Sequence, residues 1–177
     1  ARGALPMGAG AMAAAISDGC FTMLRYPVDA LRLLDELRRV LRPGARLVAR
    51  CFAMPEAGDR LDDVRRAAEG LNFHAFKLRF NMAAAHESGE ATVTCDHIHR
   101  RFEQVFPDRR ALSAISGWSL DEIAEIDAYR DRPSILSYPS RPQLARIAAE
   151  RNLPARFVEC SGYPLAERCP LFVLDFP

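Results

Sequence analysis

The sequence predicts an α/β fold with a helical insertion before a C-terminal antiparallel hairpin. Three observations predict it. A short apolar run at residues 12–17 ends at Asp18-Gly19, an amphipathic stripe follows, and Arg42-Pro43-Gly44 divides that stripe from a second apolar run at residues 46–52. Strand, helix, tight turn and strand in that order make half of a parallel α/β unit.

Each element has its own reason. Residues 12–17 are small and apolar, which suits a buried strand opening into a loop. Pro27 suits a first helical turn, and Ala30, Leu33, Leu34, Leu37, Val40 and Leu41 recur at helical spacing with charges between them. A terminal cation, a helix-incompatible ring and a permissive glycine at 42–44 stop that helix. Residues 59–151 then read as helical. Leu61, Val64 and Ala68 stripe one helix, and Phe73, Phe76, Phe80 and Ala84 the next. After the polar break Glu87-Ser88-Gly89-Glu90, Ile98, Phe102, Val105 and Phe106 mark a helix closed by Pro107. Ser119-x-x-Glu122 is a capping box opening a helix with Ile123 and Ile126. Pro133, Pro139 and Pro142 precede a last helix with Leu144, Ile147 and Ala148. Residues 156–161 and 171–176 read as two strands around Gly162-Tyr163-Pro164. The expectation is one domain over 1–177, with a sheet core at 1–56 and 153–177 and a helical cap or substrate segment at 57–152.

Composition narrows the partners. A net charge of +1 across 177 residues gives no field to draw the chain onto nucleic acid or an anionic membrane. The pairs Arg38-Arg39, Arg65-Arg66, Arg100-Arg101 and Arg109-Arg110 sit among carboxylates or on polar helix faces, as solvated surface does. No apolar run approaches the roughly 18 residues of a membrane span. The five cysteines form no C-x-x-C pair, which fits free thiols in a reducing, cytoplasmic setting.

Residues 33–50, Leu-Leu-Asp-Glu-Leu-Arg-Arg-Val-Leu-Arg-Pro-Gly-Ala-Arg-Leu-Val-Ala-Arg, resemble the helix, Pro-Gly turn and fifth strand of class I S-adenosylmethionine-dependent methyltransferases. Ala45 stands where a second glycine is common in that family. Leu5-Pro6 and the run into Ile16-Ser17-Asp18-Gly19-Cys20-Phe21 resemble the loop into strand four and the residues after it. The closing hairpin is similar in pattern to the family's last two strands, which reverse direction against the sheet. The resemblance implies a partial Rossmann-like sheet, strands four to seven, and methyl transfer from S-adenosylmethionine to an acceptor. It also implies that the family's cofactor-binding glycine loop and ribose-holding acid belong before residue 1. A preceding segment or another chain would then supply them and cover an otherwise bare apolar edge, and a homodimer is a further expectation. The Asn/Asp-Pro-Pro-aromatic motif of amino-group methylation is absent, which with the neutral charge points to a small-molecule acceptor.

The resemblance places Asp18, Gly19, Cys20 and Phe21 beside the cofactor's methionine and sulfonium. Asp18 is also the candidate catalytic group, orienting the acceptor or taking its proton. Cys20 follows glycine, whereas cysteine nucleophiles in base-methylating enzymes follow proline, so covalent catalysis is not expected. Arg50, late in the second strand, either holds a substrate carboxylate or phosphate or pairs with an acid such as Glu56. Trp118 and Tyr129 either line an acceptor pocket or pack in the core. His97 and His99 lie two apart on a helix and so face different ways, which argues against a shared metal.

Gly8-Ala9-Gly10-Ala11-Met12-Ala13 matches G-x-G-x-x-A but leads into a strand, where a phosphate-binding loop follows one and opens a helix. Two other readings stay open. One is a non-catalytic interaction module; the other is a different Rossmann-type enzyme, such as a nicotinamide-dependent reductase.

Overall fold

The computed structural model describes residues 4–177. β1 (Met12–Asp18) and β2 (Leu41–Arg50) pair in parallel, with α1 (Val28–Val40) as the crossover between them. β1 runs one residue past the predicted strand. β2 begins directly after α1, so Arg42-Pro43-Gly44 falls within the irregular start of the strand, where the register shifts and Gly44 takes φ +79°. Only glycine adopts that left-handed conformation without strain. The lead-in to β1 is tied to α1: Leu5 donates to Glu36 at 2.7 Å, and Arg39 donates to the Met7 and Leu5 carbonyls. The glycines of the G-x-G-x-x-A match therefore enter a strand.

The remaining strands complete a mixed sheet of order β1-β2-β6-β5, with β5 at Ala155–Val158 and β6 at Leu171–Asp175. β6 is antiparallel to both β2 and β5, which makes β5 parallel to β2. The hairpin forms as expected, but only its second strand reverses against the sheet. Arg46 lies opposite Asp175 and binds it at 2.6 Å, with Arg156 on the other carboxylate oxygen. Oppositely charged cross-strand neighbours of this kind favour the observed register.

One face of the sheet is covered by helices. Ala30, Leu34, Leu37 and Val40 of α1 pack with Leu47, Ala49, Phe172 and Leu174, and α7 (Arg141–Ala149) adds Leu144, Ile147 and Ala148 to the same core. α7, assigned from sequence to the cap, therefore belongs to the sheet layer. On the opposite face Ile16 is 88% exposed and Val158 is exposed as well.

The second layer has its own core. It comprises α2 (Leu61–Arg66), α3 (Phe73–Glu87), α4 (Cys95–Val105), α5 (Arg109–Ser116) and α6 (Leu120–Ala124). Phe76 stands among Phe73, Phe80, Phe106 and Trp118, with centroid separations of 4.7 to 6.3 Å. Those separations lie in the range where aromatic pairs attract. The Ser119–Glu122 capping box forms in both halves, and Ser140 and Gln143 make a second one at α7. The segment read as wholly helical also contains a short antiparallel pair, β3 (Thr92–Thr94) with β4 (Ile135–Ser137). Strands of three residues, so far apart in sequence, leave no periodicity to read.

A buried ion cluster joins the two layers. Asp59, 6% exposed, accepts from Arg79 of α3 at 3.2 Å and from Arg168 in the approach to β6. Removing one partner of a buried pair strands the other charge and costs about 3–5 kcal/mol. Asp59→Ala is accordingly expected to lower unfolding stability by about 3 kcal/mol in denaturant titration. Phe76→Ala is expected to cost a similar amount, about 3–5 kcal/mol, by opening a cavity in the aromatic core.

Candidate functional site

The two parallel strands end side by side. Asp18 and Arg50 are the last residues of β1 and β2 and are register partners. Strand periodicity puts both side chains on the same face, and Arg50 grips Asp18 with two bonds of 2.7 Å, from Nε to Oδ1 and from Nη2 to Oδ2. This bidentate geometry is the strong form of the charge-assisted hydrogen bond, and it raises the Arg50 pKa above its ordinary value. The partner expected for an ion pair, Glu56, is replaced by Asp18. The alternative role, gripping a substrate anion, meets a fork whose Nε and Nη2 are already committed.

Immediately after Asp18 the chain turns at Gly19, whose φ is +66° and whose amide donates to the Arg50 carbonyl at 2.9 Å. A Cβ there would come within 3.2 Å of the Phe52 ring, so both conformation and space call for glycine.

These strand ends form one wall of a cavity of about 620 Å³, larger than the hollow of about 340 Å³ beside Met54 and Arg141. Phe52, Leu78 and Leu136 contribute apolar surface, and α3 supplies a second wall from Asn72 to Asn81. Asn72 starts that helix by accepting the Ala75 amide at 2.9 Å. Tyr129, Tyr138, Tyr163 and Cys169 also line it. Burial pushes the Tyr138 phenol and the Cys169 thiol up from their ordinary pKa values, so both groups are held neutral. Lys77 at the rim is neutralised by Glu125 at 2.8 Å.

The structure sorts the residues selected from sequence. Asp18, Gly19, Arg50 and Tyr129 meet at this cavity. Phe21 does not: it is buried against Phe172 in the sheet core, centroids 5.9 Å apart. Cys20 packs against the same core. Trp118 is buried between Phe73 and Phe76, and its indole donates to the Leu71 carbonyl at 2.8 Å. It is a core residue of the helical layer. Asn81 and Tyr138 were not singled out from sequence. The signal was available for Asn81, a lone amide in the stretch Phe80 to Ala85, which is buried throughout; a polar side chain in such a helix is the anomaly.

His99, Glu103 and Asp127 form the one cluster with metal-ligand spacing among the described residues. Arg109 lies in it, donating to Glu103 at 2.5 Å and to both oxygens of Asp127 at 2.6 and 2.8 Å. The guanidinium supplies the positive charge that the carboxylates need. His99 contacts Asp127 at 3.1 Å, and His97 has no place in this cluster.

No protein-family model matches the sequence, and no curated protein matches it. The solved structures similar to the chain include two methyltransferases. One is a SAM-dependent methyltransferase from Methanosarcina mazei, at 13% identity and TM-score 0.47 over 97% of this chain and 60% of that one. The other is the CurJ carbon methyltransferase, at 13% identity and TM-score 0.42 over 96% of this chain and 31% of that one. The chain thus spans less than two thirds of either. No helix among the described residues is long and apolar enough to cross a membrane.

Arg109 holds the Asp127 carboxyl well below the usual carboxylate range. A depressed folded-state pKa contributes stability above the unfolded value, about 3.9, that is lost as pH falls through the folded one. Asp127→Asn should therefore be less stable than wild type at neutral pH, with the gap narrowing below about pH 4. Denaturant midpoints measured against pH check this.

Proposed function

We propose that this protein transfers a methyl group from S-adenosylmethionine to a small-molecule acceptor held in the cavity at the ends of β1 and β2. The observation that carries the reading is the cavity's position. In open α/β sheets ligands bind in the crevice beyond the carboxyl ends of parallel strands, and Asp18, Gly19 and Arg50 line the cavity from those ends. The resemblance of residues 5–56 to class I methyltransferases supplies the reaction class.

The residues present fit one end of the cofactor. Asp18 and the close-packed backbone at Gly19 would stand beside the sulfur and methionine portion; Cys20 and Phe21 would support that loop from the core. The cofactor supplies an electrophilic methyl group on a cationic sulfur. This chain's own residues have a simpler task, since displacement at such a methyl needs chiefly an aligned acceptor and, for some acceptors, removal of a proton. Arg50 fixes the Asp18 carboxylate in one orientation and so acts as a positioning residue. Asp18, with a side chain 65% exposed, keeps lone pairs free to orient the acceptor or receive its proton. Phe52, Leu78 and Leu136 exclude water from the acceptor's apolar body.

A second reading, an interaction module, draws on the exposed Ile16 at the sheet edge. A stable hetero-complex by size-exclusion chromatography, without cofactor binding, would favour it.

Calorimetry on the full-length protein is expected to detect S-adenosylhomocysteine binding; no binding of it or of S-adenosylmethionine would overturn the proposal. Once an acceptor is in hand, Asp18→Asn is expected to lower kcat/KM by about a hundredfold or more, the lower end for loss of a general base.

A further inference from the structure

One deeply buried polar group of the cavity is incompletely bonded. Asn81 is 3% exposed, and its Nδ2 donates to the Tyr138 hydroxyl at 3.0 Å and the Tyr129 hydroxyl at 3.3 Å. Its Oδ1 is buried with no partner. A buried amide oxygen left bare costs about 1–3 kcal/mol, and native proteins leave few such groups without a reason. Turning the carboxamide end for end does not remove the problem. The two phenols would then donate to Oδ1, and the NH2 group would be the bare end. In both orientations one polar end of Asn81 lacks a partner, at a cavity to which Phe52, Leu78 and Leu136 contribute apolar surface.

The chemistry of the missing partner follows. An anion is disfavoured, because the two permanent cations that line the cavity are engaged, Arg50 with Asp18 and Lys77 with Glu125. An apolar group would leave the amide bare. A hydroxyl both donates and accepts, so it completes Asn81 in either orientation. It also joins a network already built of two phenols. The surrounding walls suit a flat or branched apolar body on that hydroxyl.

We propose that Asn81, with Tyr129 and Tyr138, is the specificity-determining site for the acceptor, recognising the hydroxyl of a neutral phenol-like or enol-like molecule. Calling the ligand an acceptor rests on the methyl-transfer reading; the recognition itself does not. A site built to bond a hydroxyl rejects the analogue lacking it because its own buried groups are left unpaired. The discrimination is therefore carried by Asn81, and Asp18 acts on what Asn81 has placed.

The test uses p-cresol and toluene, which differ by one hydroxyl, titrated into the protein without cofactor and followed by NMR. Wild type is expected to prefer p-cresol by at least about tenfold. In Asn81→Leu the preference should fall below about twofold while toluene affinity holds or rises. Equal affinities in wild type, or an undiminished preference in the variant, would overturn the proposal. Should Asn81→Leu fail to fold, the side-chain amide resonance of Asn81 in the unaltered protein decides. It should shift with p-cresol and stay still with toluene, and no shift with p-cresol overturns the proposal. Because the titration needs no cofactor, a cresol preference without S-adenosylhomocysteine binding would sink the methyl-transfer reading and leave this one standing.

Discussion

The parallel register of β1 on β2 governs the arrangement of the site. It ends with Asp18 opposite Arg50, and the two-bond grip between them fixes where both strands stop. A slip of one residue would turn Asp18 to the other face and leave Arg50 without its partner. Gly19 depends on the same register, since its amide bonds the Arg50 carbonyl while its missing side chain admits Phe52. The strand-end wall of the cavity follows from these constraints.

The opposite wall depends on a different force. α3 is buried on nearly every side, which only a helix enclosed by other elements can sustain. Its phenylalanines build the aromatic core, and its Asn81 and the capping Asn72 line the cavity. The Asp59 cluster then ties α3, through Arg79, to the approach to β6, through Arg168. Two cores of separate composition are thereby held at one spacing, and the cavity is the space between them.

Local patterns made much of the fold legible. The α1 stripe, the apolar runs of β1 and β2, the closing hairpin and the Ser119 capping box each rest on residues within a few positions of one another. The elements that escaped rest on distant partners. β3 and β4 are three-residue strands that exist through each other, and the direction of β5 is set by its pairing with β6. α7 looked like the end of the helical segment, yet its Leu144 and Ile147 complete the sheet core.

The candidate site divides along the same line. Asp18, Gly19 and Arg50 could be found from sequence because strand ends beside a glycine turn are local features. The pairing of Arg50 with Asp18 could not, because it is a contact between strands 32 positions apart. Trp118 and Tyr129 flank one short helix and look equivalent in sequence, but packing sends the indole into the phenylalanine core and leaves the phenol at the cavity. Asn81 and Tyr138 become a pair only when α3 and the residue following β4 meet. The sequence by itself determined which segments are strands or helices wherever hydrophobic periodicity is local. The tertiary structure alone decided which polar groups converge, because burial and hydrogen-bond partnership depend on elements far apart in the chain.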